Sequence, residues 1–472
     1  MYDRKLIVLA GILIVITSIL LLSLWNIPKA AAADTANEMT LGISPSAIID
    51  RSQTQGKTFS LNVAAINITS LHGITVQLIY DPNIIGCTSV ETGSFWSTYG
   101  NTSISSSIDN SIGTTYASVN FTLPQLTANG NGTLITLDFK VNSTGETKIT
   151  LQNVHVYEAS GAQLAFEQID GYFNNKLILD FAMPLVLFAV TLSSTLLFDK
   201  VEAKLKTITE DREFRVQDAA LLVGLMSVMI YLVVFVRQIT LILMALFLFA
   251  YCMLLFMFTY IFSKKRWYIA ILPPAVFVLL YAFFRDTSIW TFYLVNLYGL
   301  LFAILITLYL AGLFAWKTTA VFGVLITAMD IVLVLVTGTM VQAAQAARGL
   351  SLPVLVSVPL IPLIIVNNGP PLMLSLGLGD FFFAGLLAIQ TKKKYGTRFA
   401  ILTMIGMSIS FFIFEVFLLN YIHGAFPGTL MIICGWAPFV IAKWLSSRQK
   451  TNLKPVSKPE EIGKESTEET KQ

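Results

Sequence analysis

Two aspartates lie in the most apolar part of this sequence, each inside a segment predicted to span a membrane. Asp330 lies thirteen residues after Lys317, and Asp380 lies twelve residues before Lys392. At a helical rise of ~1.5 Å per residue, both carboxylates are expected roughly 18–20 Å from the same membrane face. Two acids held together there would tend to share one proton. One carboxylate could then activate a water while the other protonates a peptide carbonyl, as in aspartic proteases.

Depth alone leaves other interpretations open, because buried acids in membrane helices also serve ion coupling or structure. An ion-coupled transporter and a structural acid pair therefore remain alternatives. Two further acids fall within the predicted spans. We expect Asp180 at the outer edge of its span, within reach of water, and Glu415 deeper, paired with a hydroxyl or backbone group.

The residues before Asp380 form a glycine motif, Leu-Gly-Leu-Gly-Asp at 376–380. Glycines at this spacing leave the backbone uncovered by side chains, so that a neighbouring chain can approach the acid. The motif resembles the Gly-x-Gly-Asp of presenilins and signal peptide peptidases, and the stretch that follows Asp330 is also similar to theirs. The resemblance covers residues 177–445 and implies a membrane aspartic protease with no metal or cofactor. It implies catalytic roles for Asp330 and Asp380, and substrate positioning by Gly377, Leu378 and Gly379.

Two positions depart from the family pattern. Met329 stands where the family usually has Tyr before its first aspartate. The family's Pro-Ala-Leu motif corresponds to 427–430, where Pro427 fits, Gly428 replaces Ala and Leu430 is displaced by one position. By resemblance these three residues also position substrate. Prepilin-type peptidases share Gly-x-Gly-Asp, but the resemblance implies aspartates near the cytoplasmic surface in that family, whereas here the motif is buried in a span.

The composition separates two regions. Charged residues make up 12% of the chain, against about 25% in a typical soluble domain, and the mean hydropathy is +0.71. Residues 34–175 are polar, whereas 176–445 are a series of apolar runs. Nine of these runs are predicted membrane spans: 177–198, 219–236, 239–262, 267–284, 289–315, 318–338, 371–390, 399–420 and 425–445.

Lysine and arginine collect in alternate loops, which predicts that residues 34–175 face outward and that the C-terminus is cytoplasmic. Residues 1–33 resemble a secretory signal but are long enough for a retained anchor, so both interpretations stay open. Residues 446–472 are charged and predicted to be disordered. The localisation predicted is a multi-pass cell-membrane protein.

Several segments of the exported region alternate with period two, including 58–63, 73–80, 133–141 and 147–151. This pattern, with turn residues between the segments, predicts an all-β sandwich. Its single cysteine, Cys87, excludes an internal disulfide. Candidate glycosylation sites support an external location: Asn67, Asn101, Asn120, Asn131 and Asn142.

The order of motifs across residues 40–172 resembles cohesin modules. The segments Gln-Leu-Ile-Tyr-Asp-Pro-Asn at 77–83 and Leu-Ile-Thr-Leu-Asp-Phe-Lys-Val at 134–141 carry this resemblance. It implies a jelly-roll sandwich of the carbohydrate-binding and cohesin superfamily, with a dockerin-like or carbohydrate ligand. The fold class predicted is therefore a β-sandwich followed by nine membrane helices.

The leading functional hypothesis is an intramembrane aspartic endopeptidase that cuts transmembrane segments, signal-peptide remnants or type II membrane proteins in the lipid bilayer. The loop at 338–370 could pair with an unwound substrate as an added strand. The alternative is a non-catalytic recognition or adhesion protein that uses the sandwich. No basic stripe with interleaved aromatics is present, so nucleic acid is not expected as a partner.

Overall fold

The computed structural model describes residues 39–452, except for 98, 210–212, 236–239, 362, 365–370 and 423. The predicted signal or anchor at 1–33 and the end of the predicted tail, 453–472, lie outside the described residues.

The polar region folds into two packed β-sheets, as its alternating pattern predicts. Strands β1 to β11 are Met39–Ser44, Ala47–Ile49, Thr58–Leu71, Gly73–Ile79, Ile85–Thr92, Thr102–Asp109, Thr114–Phe121, Ala128–Val141, Glu146–Tyr157, Phe166–Ile169 and Gly171–Asn174. One sheet has the order β10-β1-β3-β8-β5 and the other β2-β11-β9-β4-β7-β6. The pairs β1–β10 and β2–β11 are parallel, and the other pairs are antiparallel.

Alternate residues of these strands form the core between the sheets. Leu61 and Val63 of β3 lie opposite Leu137 and Ile135 of β8 in one sheet, and all four are buried. Trp96, in the short helix α1 (Ser94–Ser97), closes one end and donates its indole N–H to the carbonyl of Leu134 at 2.8 Å. The period-two pattern therefore places one face of each strand in an apolar core.

The apolar region folds into helices. Helices α2 to α12 are Ala182–Thr209, Val216–Phe235, Thr240–Phe262, Trp267–Ala270, Leu272–Phe284, Val295–Ala311, Trp316–Ile331, Thr339–Gly349, Leu378–Tyr395, Thr397–Tyr421 and Gly428–Asn452. One π-helical turn, Trp290–Leu294, precedes α7 and another, Val332–Val336, follows α8. Within the described residues, eight stretches are long and apolar enough to cross a membrane.

Three predicted boundaries are wrong. The seventh span was predicted at 371–390, but residues 373–377 form a β-strand and α10 begins at Leu378. The first helix begins at Ala182 rather than 177, and the last continues to Asn452, into the segment predicted to be disordered. Apolar composition does not separate a buried strand from a helix, which explains the first error.

Helix α10 lies at the centre of the helical region, against α2, α7 and α11. Twelve of its 18 residues are buried, so it is covered on all sides. It is the predicted seventh span, yet it is not among the eight stretches, because its 18 residues include Asp380 and three lysines.

A two-stranded hairpin precedes α10. Strand β12 (Leu355–Pro359) pairs antiparallel with β13 (Met373–Gly377), in register from Leu355 opposite Gly377. The side-chain amide oxygen of Asn296, on α7, accepts the N–H of Ser357 at 2.7 Å. This contact fixes the hairpin against the helices next to the start of α10.

The sandwich contacts the helical region directly. Asn420 of α11 accepts the N–H of Ile178 and donates its Nδ2 to the Ile178 carbonyl, both at 2.8 Å. The Arg51 N–H, just after β2, donates to the carbonyl of Asn420 at 3.0 Å. An apolar cluster that includes Tyr172 and Leu360 fills the junction, so β2 is held close to the sandwich-side ends of the helices.

Candidate active site

Asp330 lies at the end of α8, just before the helix widens into its π-helical turn, and is 6% exposed. Its Oδ2 accepts the Thr429 hydroxyl at 2.7 Å and the Thr429 backbone N–H at 3.3 Å. Two donors on one carboxylate oxygen favour the ionised form of that group. Thr429 therefore fixes the orientation of Asp330 across 99 positions of sequence.

Asp380 lies in the first turn of α10 and not in the middle of a long span. Gly377 is extended and precedes the helix, and its Cα lies next to the Asp380 carboxylate, since an added Cβ would be 3.2 Å from Oδ2. An acid three residues after the cap residue can reach back to the N–H that the helix leaves unpaired. The strand-to-helix transition at Gly377 therefore sets the position of the carboxylate.

The first residues of α12 join the two acids. A Cβ added at Gly428 would lie 2.6 Å from Oδ1 of Asp380 and 2.9 Å from Oδ2, so only glycine fits there without a shift. The next residue, Thr429, binds Asp330. Because Gly428 and Thr429 are adjacent in the chain, the two carboxyl groups that they contact lie close together. Three segments distant in sequence thus assemble a pair of carboxyl groups.

A cavity of about 690 Å³ opens beside Asp380. Its walls are the hairpin strand β13, the sandwich-side half of α11, the loop before α12, and β2 of the sandwich. Most of the lining is apolar, and its acidic members are Asp50, Asp380 and Glu415. Such a space suits an apolar segment that presents one polar bond to Asp380.

No group of three His, Cys, Asp or Glu side chains suited to a metal ion occurs within the described residues. The three cysteines are free thiols: Cys87, Cys252 and Cys434.

Known proteins resemble the sandwich. The cohesin domain family matches residues 46–165, which run from just before β2 to just before β10. Residues 46–165 form a cohesin domain. No curated protein matches the chain.

Solved cohesin structures also match this region. A non-cellulosomal cohesin from Archaeoglobus fulgidus is 21% identical, over 29% of this chain and 89% of its own, with a TM-score of 0.24. A type II cohesin from the Acetivibrio cellulolyticus cellulosome is 14% identical, over 29% of this chain and 95% of its own, with a TM-score of 0.26. A chain of a type II cohesin–X–dockerin complex from Acetivibrio cellulolyticus is 15% identical, over 29% of this chain and 99% of its own, with a TM-score of 0.26.

The candidate substrate-positioning residues occupy different surroundings. Gly377 and Gly428 contact Asp380 and line the cavity, whereas Gly379 has open space where a side chain would be. Leu378 is buried and its N–H donates to the carbonyl of Val354, so it holds the hairpin against α10. Pro427 is buried and Leu430 half-buried, and neither lines the cavity.

The candidate glycosylation sites in the cohesin domain also differ from one another. Asn67, Asn101 and Asn131 are exposed, as expected for external acceptors. Asn120 and Asn142 are half-buried. The Nδ2 of Asn142, the atom a glycan would use, donates to the Pro82 carbonyl at 2.8 Å.

Two predictions about the remaining acids are wrong. Asp180 is 1% exposed, out of reach of water, and its Oδ1 accepts the N–H of Ala182 at 3.1 Å and of Ile361 at 2.8 Å. It therefore caps α2. Glu415 is 5% exposed, and its Oε2 has no hydrogen-bond partner among the described residues, in place of the expected hydroxyl or backbone partner.

Thr429 is the site residue that the sequence analysis missed. The sequence pattern at 427–430 pointed to Pro427, Gly428 and Leu430, but the hydroxyl of Thr429 makes the contact with Asp330. The signal available was a hydroxyl directly after Gly428 in an otherwise apolar stretch.

Proposed function

We propose that the protein is an intramembrane aspartic endopeptidase. The observation that carries the proposal is the meeting of Asp330 and Asp380 around Gly428 and Thr429, beside an apolar cavity. Two acids from separate helices are costly to bring together in hydrocarbon, which favours a chemical role. The resemblance of residues 177–445 to presenilins and signal peptide peptidases stays a prediction that points to the same chemistry.

In the proposed reaction the two acids share one proton. Thr429 donates two hydrogen bonds to Asp330, so we assign the charge to Asp330 and the proton to Asp380. Asp330 takes a proton from a water molecule, and the oxygen of that water attacks the substrate carbonyl carbon. At the same time Asp380 protonates the carbonyl oxygen. Asp330 then gives its proton to the amide nitrogen, the C–N bond breaks, and a hydroxyl of the diol returns a proton to Asp380.

The hairpin offers a way to present the peptide bond. Strand β13 pairs with β12 on one edge and has no second strand partner among the described residues. Residues Leu374 to Gly377 of β13 line the cavity. We propose that an unwound substrate pairs with this edge, which would satisfy its backbone groups and place a carbonyl near Asp380.

The predicted orientation fits this proposal. With the cohesin domain outside the cell, the cavity opens toward the outer half of the membrane, and the lysines at 392–394 lie at the inner end of α10.

Replacing either aspartate tests the proposal. In purified full-length protein, Asp330→Asn and Asp380→Asn should each reduce cleavage of an apolar transmembrane reporter peptide at least about a thousandfold. The exposed residue Asp286 supplies a matched control, and Asp286→Asn should cleave at the normal rate. Cleavage at the normal rate by either site variant would show that the assignment is wrong.

A second candidate function is recognition or adhesion through the cohesin domain. The family match at residues 46–165 favours it. In this case the helices would serve as an anchor. Binding of dockerin modules or polysaccharides to the full-length protein, unchanged by Asp330→Asn, and no cleavage of any membrane peptide would support this function in place of the protease.

A further inference from the structure

A third carboxyl group lies in the wall of the cavity that contains Asp380. Glu415 lies on α11, in the half of that helix nearest the cohesin domain, and is 5% exposed. Its Oε2 is buried without a hydrogen-bond partner among the described residues. Burying a carboxylate oxygen with no partner is costly, so its place in a cavity wall calls for an explanation.

The position of Glu415 along the helix axis, relative to Asp380, follows from the helical hairpin formed by α10 and α11. Asp380 lies 16 residues before Gly396, the turn between the two helices, and Glu415 lies 19 residues after it. The difference of three residues corresponds to about 4–5 Å along antiparallel helices. Glu415 is therefore displaced toward the cohesin domain, one or two residues of an extended peptide beyond Asp380.

The surroundings of Glu415 are acidic or apolar. Asp180 is close enough to interact with it electrostatically. Asp180 already accepts hydrogen bonds from Ala182 and Ile361, so it is committed to its capping role. At the rim, Asp50 accepts from Ser52 and Gln53. No lysine, arginine or histidine is among the described lining residues.

We propose that Glu415 forms a subsite for a cationic side chain, lysine or arginine, on the cohesin side of the bond to be cut. The inference rests on the proposed proteolysis and names its substrate class: apolar segments with a basic residue one or two positions from the cleaved bond. A lysine or arginine stem packs along the apolar walls while its charged end reaches the carboxylate.

A divalent metal ion fits this site less well than a basic side chain. Calcium and magnesium take six or more oxygen ligands, and calcium draws several of them from carboxylates and carbonyls. Here Glu415 is separated from Asp380 along the helices, and Asp180 is occupied by backbone N–H groups. The cavity lining on either side of Glu415 along α11 is apolar and includes Phe411 and Leu418.

Matched peptides test the subsite by binding. Fluorescent transmembrane peptides that differ only in Lys, Gln or norleucine at positions one, two or three, together with matched Glu peptides, are titrated against the full-length Asp380→Asn protein in detergent. A charge-assisted hydrogen bond predicts about tenfold to hundredfold tighter binding of a Lys peptide at one of these positions. Adding Glu415→Gln should remove that preference, and adding Glu415→Lys should reverse it toward a Glu peptide.

The exposed residue Glu91 of β5 supplies the control, because Glu91→Gln should keep the preference for lysine. Equal binding of the three peptides to the protein with native Glu415, or a lysine preference that survives Glu415→Gln, would overturn the subsite. The first of these outcomes needs no variant at Glu415, so a folding defect there cannot hide it.

Cleavage by protein with native Asp380 separates this inference from the proposed function. Charge-dependent binding with no cleavage of any peptide would contradict the protease and leave the subsite standing. Cleavage with no difference between Lys and Gln peptides would contradict the subsite alone.

Discussion

The cohesin domain and the helical region place their acidic groups in different surroundings. In the cohesin domain, Asp138 accepts from the hydroxyls of Ser60 and Ser89 near the surface, and these hydrogen bonds lower the pKa of its carboxyl below the ordinary value. In the helical region, Asp380 and Glu415 line an apolar cavity, and Glu415 keeps an unpartnered oxygen. The Asp138 carboxylate therefore has its donors within the fold, whereas the buried Oε2 of Glu415 lacks one.

The two regions also differ in what a glycine does. In the cohesin domain, Gly113 adopts a positive φ of +70° in the turn before β7. In the helical region, Gly428 makes room for a carboxylate. Gly113 allows a backbone conformation that other residues rarely adopt, whereas Gly428 leaves space for the side chain of Asp380, 48 positions earlier in the chain.

The largest effect is expected from a core substitution in the cohesin domain. Trp96→Ala removes a fully buried side chain and its hydrogen bond to Leu134, which should lower the free energy of unfolding of this domain by about 3–5 kcal/mol. Hydrogen exchange of the β8 amides in the full-length protein measures the change. Leu123→Ala, at a side chain that is 51% exposed, is the control and should have little effect. Equal protection in Trp96→Ala and native protein would contradict the packing described.

A smaller but chemically specific effect is expected at Gly428. A methyl group there would push Asp380 aside, and displacing a catalytic group by about 1 Å can cost about a hundredfold in rate. Gly428→Ala should therefore lose about this factor in kcat for a reporter peptide, with its melting temperature little changed. Gly224→Ala, in α3 and away from the cavity, where nothing lies within 4 Å of an added Cβ, should keep full activity. Full activity of Gly428→Ala would show that Asp380 is not confined as described.

Thr429 should contribute less than Gly428. Thr429→Val keeps the shape of the side chain but removes the hydroxyl that donates to Asp330, so kcat should fall about tenfold. Thr429→Ser, which keeps the hydroxyl, should restore most of the rate. If the Ser and Val variants were equally slow, packing rather than the hydrogen bond would be responsible.

The smallest effect concerns pH and the junction after the cohesin domain. The Tyr172 hydroxyl, which donates to Glu146 at 2.6 Å, and then Lys176 lower the pKa of the Glu146 carboxyl. A lowered folded-state pKa stabilises the fold above the unfolded value of about 4.3, and this contribution is lost as pH falls through the lower folded value. Because Glu146 is half-exposed, the contribution should be under about 1 kcal/mol.

Unfolding of native and Glu146→Gln proteins between pH 3 and pH 7 measures this contribution. The native protein should be more stable at pH 6, and the difference should close toward pH 3. A constant difference across that range would rule out ionisation of Glu146 as its source.

Local patterns in the sequence predicted the elements of both regions well. The alternation at 58–63 and 133–141 became β3 and β8, because one face of each strand must be apolar to be buried. The apolar runs became helices, and the glycine motif marked Asp380. The start of α10 was predicted seven residues too early, because β13 is as apolar as the helix that follows it.

The sequence by itself therefore determined the two regions and most of their strands and helices, and it singled out the two aspartates. Only the tertiary structure decided that Thr429 binds Asp330, that Gly428 makes room for Asp380, and that Glu415 lines the same cavity as β2. The physical reason is the separation along the chain between the residues that meet. Periodicity records which face of one element is buried, whereas these contacts join segments tens to hundreds of residues apart, and no local pattern records such partners.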